Sequence, residues 1–120
     1  MDSKTNIQEL KDLVKKFCEE RNWNQFHPAK DLAIGIITES SELLEQFRFK
    51  SEEEIEAMFK NIKEKEKITE EISDVFYFLL RLAQKYNVDL TTELKKKMLL
   101  NQKKYPIEKS KGLNKKYTEL

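Results

Sequence analysis

The chain has 120 residues, with charged and apolar residues at 38% each and only two Gly and two Pro. That is the length of one domain, spanning 1–120, able to bury a core with little to spare. So few breakers exclude an all-β fold, which needs a turn about every 8–12 residues. No apolar run nears the roughly 18 residues of a membrane span, and Met1-Asp2-Ser3-Lys4 opens no signal-peptide apolar stretch. The one cysteine, Cys18, can form neither an internal disulfide nor a thiolate metal cage, which points to a cytoplasmic protein. A formal net charge of +1 hides an asymmetry: residues 95–120 carry nine Lys against two acids, net +7, which leaves −6 on residues 1–94. A basic segment on an acidic body suits a phosphate-bearing ligand or a weak nucleic-acid patch, unless it is a solvated tail.

No internal repeat or low-complexity linker interrupts the chain. The first predicted helix runs from about Asn6 to Arg21, with Ile7, Leu10, Leu13, Val14, Phe17 and Cys18 forming one apolar stripe. The connection Asn22-Trp23-Asn24-Gln25-Phe26-His27-Pro28 is unusually aromatic for a surface loop. Pro28 fits the first turn of a second helix reaching about Arg48, because its missing N–H costs nothing there. Ser51 and Glu54 have the spacing of a capping box and open a short helix ending near Asn61. The longest apolar pattern then covers about Lys63 to Tyr86. Asp89 can cap a last helix through about Lys103, which Pro106 terminates. The remainder, Ile107 to Leu120, reads as extended or loosely packed. The expected fold is all-α, a bundle of four or five helices.

Two carboxylate pairs stand out. Glu39 and Glu42 on the second helix, and Glu71 and Asp74 on the fourth, are each spaced i, i+3 and so share a face. Spacing alone is weak, since Glu9/Asp12, Glu42/Glu45 and Glu53/Glu56 match it too. The helical wheel separates them. At about 100° per residue, Leu32, Ala33, Ile36, Ile37, Leu43, Leu44 and Phe47 cluster on helix two, with Glu39 at the edge and Gly35, Glu42 and Gln46 continuing its strip. On helix four Ile68, Ile72, Val75, Phe76, Leu79, Leu82 and Ala83 form the apolar face, flanked by Glu71, Asp74 and Phe78. Packing those faces together would gather four carboxylates, which is costly without a positive charge among them. All-oxygen ligands select a hard divalent ion, so Mg²⁺ is expected, with Mn²⁺ as a substitute. The bland alternative is four helix-surface acids paired to neighbouring Lys. A di-iron carboxylate bundle is excluded, because it needs Glu-x-x-His on two helices and the chain has one histidine, His27.

The pattern Glu39-x-x-Glu42, then 28 residues, then Glu71-x-x-Asp74 resembles the signature of the MazG-like all-α nucleoside triphosphate pyrophosphohydrolases. The segments Phe17–His27, Glu39–Lys50, Glu70–Val75, Lys97-Met98…Asn101…Lys104-Tyr-Pro106 and Lys116–Leu120 resemble the dCTP pyrophosphatase branch of that family, so the likeness covers nearly the whole chain from about Leu10. It implies Mg²⁺-dependent hydrolysis of a nucleoside triphosphate between its α and β phosphates. Glu39, Glu42, Glu71 and Asp74 would be the metal ligands and catalytic acids. In that branch the base and sugar fall on the segment matching Trp23, Asn24, Gln25, Phe26 and His27. Trp23 offers a face for stacking, and His27 a hydrogen bond to base or sugar. Phe49 and Phe78 stand at further pocket positions, and Lys97, Asn101 and Lys104 share one side of the last helix, where they could reach phosphates or simply be solvated.

The chain departs from the branch where Phe49 replaces Trp, Phe78 replaces Tyr and Val14 replaces His. Each change removes a polar handle, which weakens discrimination among bases more than catalysis. The resemblance further implies a homodimer or homotetramer that clears modified or surplus nucleotides, with no membrane association and no nucleic-acid partner. A module of another class, binding nucleotide or nucleic acid through the basic C-terminal segment without hydrolysis, is the alternative; four carboxylates would be useless to it.

Overall fold

The computed structural model describes residues 1–120 and contains helices and turns only. Its elements are α1 (Ile7–Glu20), α2 (Ala29–Phe47), α3 (Glu52–Lys60), α4 (Ile62–Lys85), α5 (Leu90–Lys104) and the one-turn α6 (Ile107–Ser110), with short 3₁₀ turns at Asp2–Lys4, Asn24–Phe26 and Tyr117–Glu119. The chain divides into two compact units, Met1–Asn87 and Val88–Leu120.

Local chemistry places the ends. The side chains of Asn6, Ser51, Asn61 and Asp89 accept the backbone N–H three residues on, and so cap α1, α3, α4 and α5. Only the Ser51 half of the expected capping box is made. Pro28 sits one place earlier than expected, as the extended N-cap residue of α2. Asn22 and Asn87, just beyond α1 and α4, take left-handed backbone at φ 55° and 54°, where Asn is tolerated. After α2 the same conformation falls on Phe49, at φ 64°. A bulky residue there costs on the order of 1–2 kcal/mol.

In the first unit α4 is the central helix. It packs most extensively on α2, and also on α1 and α3. The buried apolar core is Val14, Cys18, Leu32, Met58, Ile68, Leu80 and Ala83. The apolar stripes expected on α2 and α4 are therefore only partly covered. Leu32 is buried and Ile36, Leu43 and Phe47 are half-buried, whereas Ile37 and Leu44 are 67% and 61% exposed. Ile72, Phe76 and Leu79 of α4 are exposed as well. One neighbour covers one stripe, and Ile37 and Leu44 stand outside the side of α2 that is covered. In the second unit the segment read as extended is partly helical: α6 forms one turn after Pro106, and the final residues close a 3₁₀ turn. Tyr105 and Tyr117 meet edge to face at 6.0 Å, and the Lys104 Nζ lies 4.8 Å from the Tyr117 ring.

Candidate metal centre and aromatic loop

The packing of α2 on α4 draws carboxylates of Glu39, Glu42 and Glu71 into one group, an oxygen of each lying within 4.8 Å of the others. No basic residue forms an ion pair with any of them. One oxygen of Glu39 and one of Glu71, each Oε2, are shut off from solvent with no hydrogen-bond partner. None of the four acids is salt-bridged to a Lys, although Glu42 and Asp74 are exposed on their helices. Asp74 lies outside that tight group and is exposed, yet its charge acts on both Glu39 and Glu71.

The crowding is visible in the proton affinities. A hydrogen bond with Glu42, then burial, then the surrounding negative charges push the Glu39 carboxyl up to about 7. Glu71 is raised as well, by burial first and by the charge of Glu42 next. A set of like charges that can relieve itself only by holding a proton is equally relieved by a cation. Unpartnered buried oxygens and an all-carboxylate donor set fit a hard divalent ion.

At Gly35, one turn before Glu39, the Phe78 ring of α4 lies directly on the α2 backbone. A Cβ there would lie 2.5 Å from the Phe78 ring, so only glycine admits that ring onto the α2 backbone. Phe78 is half-buried as a result and also meets Tyr77 edge to face at 5.1 Å.

The aromatic loop is held from the end of α4. Trp23 is 36% exposed, edge to face with Phe17 at 5.5 Å and with His27 at 6.2 Å. Phe17, Leu13, Val14 and Tyr77 line an apolar cavity of about 330 Å³, within the range of small-ligand pockets. Asn24 accepts a hydrogen bond from Arg81 at its side-chain oxygen, Gln25 donates its amide N–H to the Asn22 carbonyl at 3.1 Å, and Phe26 is exposed. Phe49 is 92% exposed, with the Arg48 guanidinium 4.6 Å from its ring centre. Lys97, Asn101 and Lys104 lie on α5 in the second unit, the two lysines exposed and Asn101 half-buried.

Two features escaped the sequence reading. Arg81 and Lys85, spaced i, i+4 on α4, grip the aromatic loop: Arg81 by side chains and Lys85 by the carbonyls of Asn24 and His27, at 2.8 and 2.5 Å. A cation inside the apolar run Leu79-Leu80-Arg81-Leu82-Ala83 was the available signal. The second is Cys18, whose Sγ lies 3.2 Å from the Tyr77 hydroxyl and ties α1 to α4.

A MazG-like family model matches residues 34–120. The chain is 36% identical over 114 residues to the dCTP pyrophosphatase 1 of Rattus norvegicus, covering 95% of this chain and 67% of that protein. The human protein of that name is 33% identical over the same shares. A crystal structure of a pyrophosphatase from Archaeoglobus fulgidus superposes with a TM-score of 0.77 at 35% identity, covering 82% of this chain and 91% of that one. The chain belongs to the MazG-like family and is a pyrophosphate-releasing hydrolase.

Proposed function

We propose that this enzyme hydrolyses nucleoside triphosphates, dCTP or a modified dCTP foremost, to the monophosphate and pyrophosphate in a Mg²⁺-dependent reaction. The observation that carries the reading is the Glu39–Glu42–Glu71 group with its two buried, unpartnered oxygens. Glu39, Glu42, Glu71 and Asp74 would hold the ion, Mn²⁺ being able to replace Mg²⁺. When bound, such an ion offsets triphosphate charge and lowers the pKa of a coordinated water. Water adds at the α phosphorus as its bond to the bridging oxygen breaks, and pyrophosphate leaves. The choice of dCTP is supported by the names of the relatives.

The remaining site residues are proposed contacts. Trp23 stacks on the base, at a typical worth of about 1–3 kcal/mol, and its partly exposed ring beside Phe17 supports that role. His27, Asn24, Gln25 and Phe26 border base and sugar, and Phe78 with Gly35 forms a wall. Phe49 supplies a further aromatic face; its strained backbone and nearly full exposure are the marks of a side chain kept for something other than packing. Lys97, Asn101 and Lys104 bind phosphate oxygens, following the resemblance and the charge of their segment.

The whole chain, 1–120, acts as one domain, a view supported by a family match that runs through both compact units. It assembles as a homodimer or homotetramer. The support is the exposed apolar set of Ile37, Leu44, Ile72, Phe76 and Leu79, whose remaining accessible area a second copy would remove from water. No helix is long and apolar enough to cross a membrane, and we place the enzyme in the cytoplasm, acting on the nucleotide pool.

Pyrophosphate release from a panel of ordinary and modified nucleoside triphosphates, with and without Mg²⁺, tests the reading. Monophosphate and pyrophosphate are expected only with metal, and dCTP or a modified dCTP is expected to lead the ranking. Binding of a triphosphate without cleavage would overturn the reaction and favour a nucleotide-binding module.

A further inference from the structure

Arg81 is the largest fully buried side chain in the protein, 1% exposed, and it forms no ion pair. Its guanidinium spends its hydrogen bonds on neutral acceptors. Nε donates to His27 Nδ1 at 3.0 Å, Nη1 to Gln84 Oε1 at 2.5 Å and Nη2 to Asn24 Oδ1. A buried cation without a counter-ion is costly, and its place near the C-terminal end of α4, where the helix dipole favours positive charge, offsets only part of that. Such an arrangement needs a reason beyond holding a loop, which Lys85 already does through the loop carbonyls.

The reason lies in the direction of one hydrogen bond. An Arg Nε–H is always a donor, since the guanidinium does not deprotonate in proteins. His27 Nδ1 must therefore present its lone pair, and the imidazole proton is confined to Nε2. His27 is half-buried, and its Nε2 shows no hydrogen bond to the protein and is not among the fully buried unpartnered atoms, so it keeps some access to solvent.

We propose that Arg81 is a positioning residue that fixes His27 as a neutral, permanent Nε2–H donor, so that the aromatic loop accepts only a nucleotide edge bearing a hydrogen-bond acceptor. For cytosine that acceptor is O2 or N3, and its exocyclic amine, itself a donor, must point away from His27. The proposal rests on the nucleotide reading of the loop and deepens it. The groups facing His27 agree: burial and the charges of Arg81 and Lys85 from α4 lower its pKa, opposed by Asp31 of α2. The ring is thereby kept neutral as well as oriented.

His27 is the only histidine, so long-range ¹⁵N NMR of the full chain reads its tautomer without assignment. The wild type is expected to show a protonated Nε2 and a lone-pair Nδ1, with a titration midpoint below the ordinary value of 6.5. Arg81→Met should release the ring to a mixture of tautomers, raise that midpoint, and raise KM for dCTP about tenfold with kcat retained. On a His27→Ala background the same substitution should change KM no further. Should Arg81→Met not fold, the wild-type tautomer still decides, since reading it needs no variant. A wild-type His27 protonated at Nδ1 overturns the proposal, as does an unchanged tautomer in Arg81→Met, or a KM loss that persists without His27. The tautomer is read on protein free of nucleotide. Failure of the wild type to cleave any triphosphate would therefore sink the proposed reaction separately.

Discussion

Replacing Gly35 by Ala sets two effects of known sign against each other. In a helix interior Ala is favoured over Gly by about 0.8–1.0 kcal/mol, so propensity alone makes Gly35→Ala stabilising. Sterics oppose it. The added Cβ would stand 2.5, 2.6 and 2.8 Å from three carbons of the Phe78 ring, where carbon contacts settle at about 3.5–4.0 Å. An overlap near 1 Å across the ring pushes α4 off α2 or turns Phe78 out of its seat; overpacking of this kind costs about 1–3 kcal/mol. The sum runs from roughly neutral to about 2 kcal/mol destabilising, a fall in Tm of up to several degrees. A thermal and urea double-mutant cycle isolates the contact. With Phe78→Ala as background the clash is gone, and Gly35→Ala should then stabilise by about 1 kcal/mol, which leaves a coupling of about 1–3 kcal/mol. Because Glu39 follows Gly35 by one turn, the single variant should also need more Mg²⁺ for half-maximal rate. A rise in Tm on the wild-type background, with no coupling to Phe78, would refute the reasoning.

Glu42→Gln removes a carboxylate from the three-acid group and the hydrogen-bonded neighbour that raises Glu39, so metal-dependent pyrophosphate release should fall by at least about a hundredfold while helix content by circular dichroism stays unchanged. The raised Glu39 pKa, about 7 against an ordinary 4.5, predicts a sign: the metal-free protein is favoured by protonation of Glu39, so this contribution is full below pH 4.5 and lost as pH rises through about 7. A divalent ion must displace that proton, so its affinity by calorimetry should strengthen as pH rises through about 7, with proton release; a pH-independent affinity there would contradict it. Phe49→Gly should raise stability by about 1 kcal/mol by relieving the left-handed backbone, while KM for dCTP rises; a lower Tm would show that the ring packs somewhere after all.

Most of the helix ends were legible because their signals are local. Asn6, Ser51 and Asp89 each satisfy an orphan N–H three residues away, and no distant contact has to be known for that. The acid pairs were legible for a related reason: i, i+3 spacing beside an apolar stripe fixes which face they share, and α2 on α4 then brings them together. What the pattern could not settle was coverage. Ile37 and Leu44 look as apolar as Leu32 and Leu43 on a wheel, but only a packed neighbour decides which of them is buried. Nor could it place Asp74 relative to the other three acids, since a carboxylate one methylene shorter than Glu reaches less far from the same helix.

Arg81 marks the deeper limit. Its role depends on hydrogen bonds to His27 and Asn24, 54 and 57 residues away in the chain, and no periodicity encodes a pairing over that distance. Yet the chemistry was half announced. Long charged residues are almost never fully buried unless paired, and Arg81 interrupts the most apolar run of α4. A cation placed where only an apolar residue would pack must have acceptors waiting for it. Here those acceptors are neutral: an imidazole nitrogen and two amide oxygens. The charges thus divide by task within the first unit. The acids stand uncompensated between α2 and α4, where a cation can join them. Arg81 makes its bonds at the other end of that packing, and a cation paired with Glu39 or Glu71 would remove the uncompensated charge on which the proposed metal site rests.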